Sequence, residues 1–456
     1  MASFQAITQY LRQSLWFLPA LFAVGAVVVA GVLMEVDRQL SADAASLPFL
    51  FAGGVEGARA VLSVIAQSML TFTGLVFTVT MLVLQLASSQ LSPRVLRTFL
   101  RDRANQAVLG LFVATFLYSL LLLRYVRSAA DGGEDFVPGI SIGVAFALLL
   151  ASVGAFIYYI DHMAHAIRAS TVIQNIAHET RAALEKLFPE RIGEAVSDSA
   201  GAQSPTGDDG SAIERGLVVP RGAPSGVINA PRAGYVVAID DHRLLEAVKP
   251  DPATPSDDRF IELVPTVGDY VAEDAPLFRL WGSWHDKEQD GLRRAAVLGG
   301  ERNLEQDLGF GIRQLVDIAL RALSSGVNDP TTAGQVLDRL HDILYRLAQR
   351  RIPSPVRRDP SGRARLYLGR PEWDDYVFLA TEEIRLAGEA HLQVMRRLSH
   401  LLSDVMNAAP PPRQAALRQA LARVERSVER GLSDPADRQL ARAAQDRERG
   451  PRPMGS

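Results

Sequence analysis

Val61 to Ala87 reads VLSVIAQSMLTFTGLVFTVTMLVLQLA, without one Asp, Glu, Lys or Arg. A hydrocarbon core about 30 Å thick takes roughly 20 apolar residues of helix to cross, so this run is long enough to span a bilayer. Leu15 to Met34 before it, and Ala107 to Leu123 and Ile140 to Ile160 after it, have the same character. No run of this kind follows Asp161. The expected fold class is therefore a membrane protein: a four-helix transmembrane bundle over 1–162, followed by a cytoplasmic α+β region made of a barrel-sandwich-like β-module and a helical domain.

The loops set the orientation. Ser88 to Ala104 carries Arg94, Arg97, Arg101 and Arg103 against Asp102, whereas Glu35 to Ala60 and Tyr125 to Val137 are acidic. The positive-inside rule puts the arginine loop in the cytoplasm, and four crossings then place both termini there. The first run lacks a small-residue cleavage site before Glu35 and Asp37, which argues for a retained anchor over a removable signal peptide. A formal net charge of −3 gives no reason to expect nucleic acid as a partner. With no cysteine in the chain, disulfides, thiolate metal sites and cysteine nucleophiles are excluded.

Beyond the membrane, Ala164 to Leu187 has Ile167, Ile173, Ile176, Leu184 and Leu187 at helical intervals and Pro189 to stop it. It is expected as a linker helix over 163–190. Residues 191–213 include SDSAGAQSPTGDDGS, a composition suited to a flexible linker. Over 214–282 short β-type runs alternate with Gly- and Pro-rich turns. Ala233 to Val236, Val267 to Val271 and Ala275 to Leu277 resemble the barrel-sandwich hybrid of lipoyl, biotinyl and membrane-fusion-protein domains. The carrier forms need a modifiable lysine between the halves. Asp240 to Ala247 has none and Lys249 lacks a flanking Met, so no covalent cofactor is expected. Residues 290–440 return to helical periodicity, with Leu308, Ile312, Leu315, Val316, Ala319 and Leu323 on one face of a first helix. Residues 441–456 are charged and low in apolar residues, the composition of a disordered tail.

Two stretches carry a family resemblance. Gln306 to Ser324, QDLGFGIRQLVDIALRALS, completed by Gly326 to Ala333, GVNDPTTA, resembles the signature of the domain of unknown function 2254 family of bacterial predicted membrane proteins. Phe77 to Thr80 with Gln85 to Leu96, QLASSQLSPRVL, resembles the same family's other marked stretch. The resemblance runs from about Leu11 to about Leu402. It implies four membrane helices and a cytoplasmic domain, and supplies no reaction.

Three constellations are candidates for function. On the second apolar run Ser63, Gln67, Thr71, Gly74, Thr78 and Gln85 fall within roughly 80° of one another at 100° per residue. Such a stripe either packs helices through small residues or, repeated in symmetry-related copies, lines a pore. Arg94, Arg97 and Arg101 would stand at its cytoplasmic mouth, or simply fix topology and hold anionic headgroups at about 1 kcal/mol each. In the soluble part Arg313, Asp317 and Arg321 follow at i, i+4 steps and lead to Asn328, Asp329 and Thr331. They form either a salt-bridge ladder ending at a capped helix or an anion site using the backbone N–H groups of that helix start. Asp161, His162 and His165 supply too few ligands for a metal to be expected. No Gly-rich phosphate loop, His-Glu-x-x-His or Gly-x-Ser-x-Gly motif occurs, so an enzyme is not expected. The expected function is an oligomeric channel or transport-type pathway for ions or small solutes, gated by the cytoplasmic domain. The alternative is a non-conducting membrane sensor or scaffold whose cytoplasmic domain binds a ligand or partner.

Overall fold

A computed structural model describes residues 16–40, 54–90, 103–126, 136–166, 168–189, 219–220, 222–248, 259–359 and 362–442. The chain divides into two compact units, Met1–Thr171 and Val172–Ser456. The expected flexible linker at 191–213 and residues 443–456 of the tail expected at 441–456 lie outside the described residues; Ala441 and Arg442 are the end of a helix.

The first unit holds helices α1 (Phe17–Leu40), α2 (Val55–Gln90), α3 (Arg103–Tyr125) and α4 (Gly139–Ala166). All four are long and apolar enough to cross a membrane. Each extends beyond its apolar run, because a helix continues into the headgroup zone as long as its backbone bonds remain satisfied. α3 is the central element, with half of its apolar window buried within the unit. Its Gly110 admits α1: a Cβ there would touch the Phe22 ring at 3.0 Å. Phe72 of α2 stacks on Phe156 of α4 with ring centroids 4.8 Å apart.

Several polar groups inside this unit are paired across helices, as suits a low-dielectric interior. Tyr159 donates to the Val76 carbonyl at 3.0 Å and its hydroxyl lies 2.8 Å from Thr80 Oγ1. Thr115 Oγ1 lies 3.2 Å from Ser152 Oγ, and Tyr118 donates to the Ser141 carbonyl. The strongest tie is Asp37 near the end of α1. Its buried carboxylate accepts from the Ile140 and Ser141 N–H groups, both at 3.0 Å, and from the Ser141 hydroxyl at 2.5 Å. It thus caps the N-terminus of α4, where four N–H groups lack intrahelical partners and the dipole favours an anion. Arg59 of α2 donates to the Val126 carbonyl just past α3.

The second unit begins with α5 (Ala169–Leu187) and continues β1 (Gly226–Asn229), β2 (Gly234–Ile239), α6 (Asp241–Ala247), β3 (Phe260–Leu263), β4 (Tyr270–Val271), β5 (Pro276–Trp281), α7 (Asp286–Arg293) and β6 (Ala296–Gly299). Then follow α8 (Leu308–Ala322), α9 (Pro330–Ala348), β7 (Val356–Arg358), β8 (Ala364–Leu368), α10 (Trp373–Ala387), α11 (Leu392–Ala408), α12 (Gln414–Gly431) and α13 (Pro435–Arg442). The strands form a five-stranded sheet, β1-β5-β3-β8-β7, and a three-stranded sheet, β4-β2-β6.

The segments expected to pair in the β-module do pair: Gly234 lies opposite Val271 and Tyr235 opposite Tyr270. The module is not confined to 214–282, however. β6 completes the small sheet, and β8 runs parallel to β3, bringing the β7–β8 hairpin out of the region read as purely helical. The segment between the halves is helix α6, capped by Asp240 on the Arg243 N–H. α5 likewise is more than a linker. It buries Ile173, Ile176, Thr180 and Leu184 within this unit, and Arg181 pairs with Asp342 of α9 at 2.6 Å. Arg350 donates to the carbonyls of Phe188 and Pro189.

Gly311 explains part of the signature: a Cβ there would collide with Thr180 Oγ1 and Cγ2, so α5 lies against α8 only over a glycine. We expect Gly311→Ala to cost about 1–3 kcal/mol through overpacking. Paired with Thr180→Ala it should lose less than the sum of the single losses in urea unfolding followed by circular dichroism, the mark of a direct contact. In the first unit, Asp37→Ala should lower stability by about 2 kcal/mol or more, through loss of the cap and of charge-assisted hydrogen bonds. Thermal unfolding in detergent reads this directly.

Candidate functional site

The α2 stripe sits on the outside of its own bundle. Gln67, Thr71, Gly74, Thr78 and Gln85 are exposed, and Ser63 is half-buried. The core-facing residues of the same helix are Ala58, Leu62, Ile65, Met69, Val76 and Val83, centred diametrically opposite the stripe at 100° per residue. Thr71 and Thr78 return their hydroxyls to the carbonyls of Gln67 and Gly74 one turn back, which satisfies each hydroxyl hydrogen within the helix. A Cβ on Gly74 would meet nothing within 4 Å. The stripe therefore does not pack the helices of this protomer together. Arg94, Arg97 and Arg101 lie outside the described residues. At the end of α4, His165 Nδ1 is 2.8 Å from the Asp161 carbonyl and His162 stacks on Tyr158. No cluster of three His, Asp or Glu placed to hold a metal occurs among the described residues.

In the second unit the arginine row is one face of α8. Arg313 reaches Asp317 at 3.5 Å and Glu383 of α10 at 2.6 Å, so it ties two helices together. Arg321 is exposed at the far end of α8, about 12 Å further along the axis. The chain then turns sharply. Asn328 takes a left-handed conformation with φ 50°, its N–H donates to the Ser324 carbonyl, and the Asp329 N–H donates to the Ala322 carbonyl. This closes the end of α8 and starts α9 with Asp329 as N-cap and Pro330 in the first turn.

The expected anion site at this helix start is already filled by the protein. The Asp329 carboxylate accepts from the N–H groups of Thr331 and Thr332, both at 3.0 Å, and from the Thr332 hydroxyl at 2.6 Å. The Thr332 hydroxyl, joined by those N–H groups, holds the Asp329 carboxyl below the usual range. Asn328, Asp329 and Thr331 thus form a capped turn, and an added anion would face a carboxylate there.

A cavity of about 390 Å³ lies elsewhere in this unit, walled by the turn Thr266–Asp269 and by the starts of α8 and α10. Asp307 caps α8 on the Phe310 N–H at 3.0 Å and is held by Arg302, with Nε and Nη2 each 2.8 Å from one carboxylate oxygen. Gly268, at φ 98°, gives this pair room: a Cβ would collide with the Asp307 carboxylate. On another wall Arg370 pairs with Asp241 at 2.8 Å, and Arg357 approaches the same carboxylate at 3.8 Å. Burial, and then the neighbouring Arg370 charge, push the Arg357 guanidinium below its ordinary range. Tyr376 also lines the cavity; burial pushes its phenol up, reinforced by Asp307. Sequence reasoning missed this site because its parts come from three distant stretches. The available signal was the pair of glycines, Gly268 and Gly309, each within two residues of an aspartate.

The depressed Asp329 carboxyl has a consequence for acid stability. A group whose folded pKa lies below its unfolded value stabilises the fold above the unfolded value of about 3.9, and that contribution is lost as pH falls through the folded value. We expect the stability gap between the wild type and Asp329→Ala, about 1 kcal/mol at pH 7, to close below about pH 4. Urea unfolding at pH 7 and pH 3 checks this.

Residues 12–404 match the family described as "Predicted membrane protein (DUF2254)". An uncharacterised protein of Mycobacterium bovis is 35% identical over 450 residues, covering 96% of this chain and 81% of the relative. An uncharacterised protein of Mycobacterium tuberculosis strain H37Rv matches to the same extent. No solved structure matches the chain. With four helices able to cross a membrane and both signature stretches inside the matched span, this chain belongs to the DUF2254 family of predicted membrane proteins.

Proposed function

We propose that this protein is a non-enzymatic homo-oligomer of the bacterial inner membrane, with both termini in the cytoplasm, in which copies of α2 line a pathway for ions or small solutes. The second unit, on the cytoplasmic side, gates it. One observation carries the reading: the polar stripe of α2 faces away from the protomer's own core. An uncharged amide such as Gln67 or Gln85 gains nothing from hydrocarbon, and such side chains in membranes face another helix or water. Among the described residues the protomer's core is packed with large side chains. The interior is filled by Phe112, Tyr118, Tyr159, Leu62, Met69 and Leu122. A second copy, or several around an axis, supplies both the partner and the aqueous space.

Hydroxyl and amide oxygens in such a stripe replace part of an ion's hydration without a fixed charge. Gating has a covalent route, since α5 of the second unit begins three residues after α4 ends.

The absence of native cysteine makes the test simple. Single variants Gln67→Cys and Thr78→Cys should form disulfide-linked dimers in oxidised membranes, while Ile157→Cys, exposed on α4, should not. In planar bilayers the purified protein should conduct, and Thr71→Leu with Thr78→Leu should change conductance several-fold. A monomer, or cross-linking without conductance, would favour the sensor or scaffold reading.

A further inference from the structure

The outward stripe of α2 does not end at Ser63. At 100° per residue Glu56 lies about 20° from Gln67 around the helix, inside the arc that holds Ser63, Thr71, Gly74, Thr78 and Gln85. Glu56 is exposed and stands in the first turn of α2. The helix dipole favours a carboxylate in that turn, but it sets no direction around the axis. The direction taken is that of the stripe. Glu56 and Arg59 are the only charged residues of α2, and they do not cancel there. Arg59 is turned about 60° from Glu56, further from the stripe's centre, and its guanidinium donates to the Val126 carbonyl past α3.

Ser63 to Gln85 covers about 33 Å of helix axis, close to the thickness of a hydrocarbon core. Glu56 stands about 10 Å beyond Ser63, where a carboxylate keeps its hydration. The oxygens within the span favour the same sign of charge. Thr71 and Thr78 donate their hydroxyl hydrogens to the carbonyls of Gln67 and Gly74, at 3.0 and 2.9 Å. What each hydroxyl presents outward is therefore its lone pairs. Lone pairs replace water around a cation, whereas an anion needs the hydrogens that the backbone already holds. Gln67 and Gln85 carry both a donor and an acceptor and do not discriminate.

We propose that the pathway lined by α2 selects cations over anions, with the Glu56 carboxylates of the copies at its outer mouth and the Thr71 and Thr78 oxygens along its length. This selectivity rests on α2 lining the pathway, and it names the charge of what passes. A ring of carboxylates at the mouth raises the local cation concentration, and the uncharged span behind it holds a cation loosely enough to let it leave. Both flanks of the stripe are exposed and apolar, with Val64, Leu75 and Leu82 on one side and Leu70 and Phe77 on the other. Adjoining copies of α2 pack through these flanks and leave the polar arc to the ion.

The test is the reversal potential of the full-length protein in planar bilayers under a potassium chloride gradient. The wild-type value should lie toward the potassium equilibrium potential. Glu56→Gln, which keeps the side-chain size at an exposed position, should move it toward zero and lower the potassium-to-chloride permeability ratio several-fold. Thr71→Val with Thr78→Val keeps the shape, removes the oxygens and should lower potassium conductance several-fold. Glu35→Gln, at the α1 carboxylate that pairs with Arg38 at 3.9 Å, should leave the ratio unchanged, which separates a carboxylate on the stripe from acidity in general. Conductance that prefers chloride, or a ratio that Glu56→Gln leaves as it was, overturns the selectivity and leaves the pathway standing. No conductance at all overturns both.

Discussion

Hydrocarbon has no hydrogen bonds to offer, and the first unit is organised around that constraint. Four of its interior polar side chains join one helix to another: Tyr159 to the α2 backbone, Thr115 to Ser152, Tyr118 to the backbone of α4, and Asp37 to the open end of α4. Each tie fixes the rotation of one helix against another, which apolar packing alone leaves loose. The rotation of α2 that buries Leu62, Met69 and Val76 is the rotation that turns Gln67, Thr71 and Thr78 outward. The outward stripe and the inward core are therefore one structural decision. A family defined by its sequence in this helix is defined by both faces at once.

The second unit follows a different logic, in which helix ends are closed by carboxylates from within the chain. Asp240, Asp307 and Asp329 each cap the helix that follows. Arg413 does the same at a C-terminus, donating to the Leu347 and Ala348 carbonyls at the end of α9 while its guanidinium lies over Trp373. This self-sufficiency decides which helix starts are available to a ligand. The start of α9 is not, because Asp329 occupies it. The starts of α8 and α10, beside the cavity, are likewise closed, by Asp307 and by the reciprocal Glu372 and Asp375 cap.

The membrane part was legible in the sequence because apolar run length is a direct physical requirement, and the apolar face of α8 was legible because 3.6-residue periodicity is. The β7–β8 hairpin was missed although Asp359-Pro360-Ser361-Gly362 between two short β-type runs is a turn signature; the surrounding helical pattern masked it. The break between α10 and α11 rests on a tertiary contact. Gly388 is required there since a Cβ would strike Val394, a contact no local pattern reveals. The direction of the α2 stripe was undecidable from its own residues, as it depends on which face α3 and α4 cover. Cavity residues 266–269, 302–309 and 370–379 are united only by β-strand pairing and helix packing over long separations.

The cap on α4 also bears on how the protein is made. Asp37 and its partner Ile140 are 103 residues apart, with two complete crossings between them. As the chain leaves the ribosome, the first helix enters the bilayer carrying a carboxylate whose ligands have not yet been synthesised. Until the fourth helix arrives, that carboxylate lacks the N–H partners it has in the folded bundle. The packing of Phe22 over Gly110 needs only the first and third helices, so the Asp37 tie is the contact of α1 that the last helix completes.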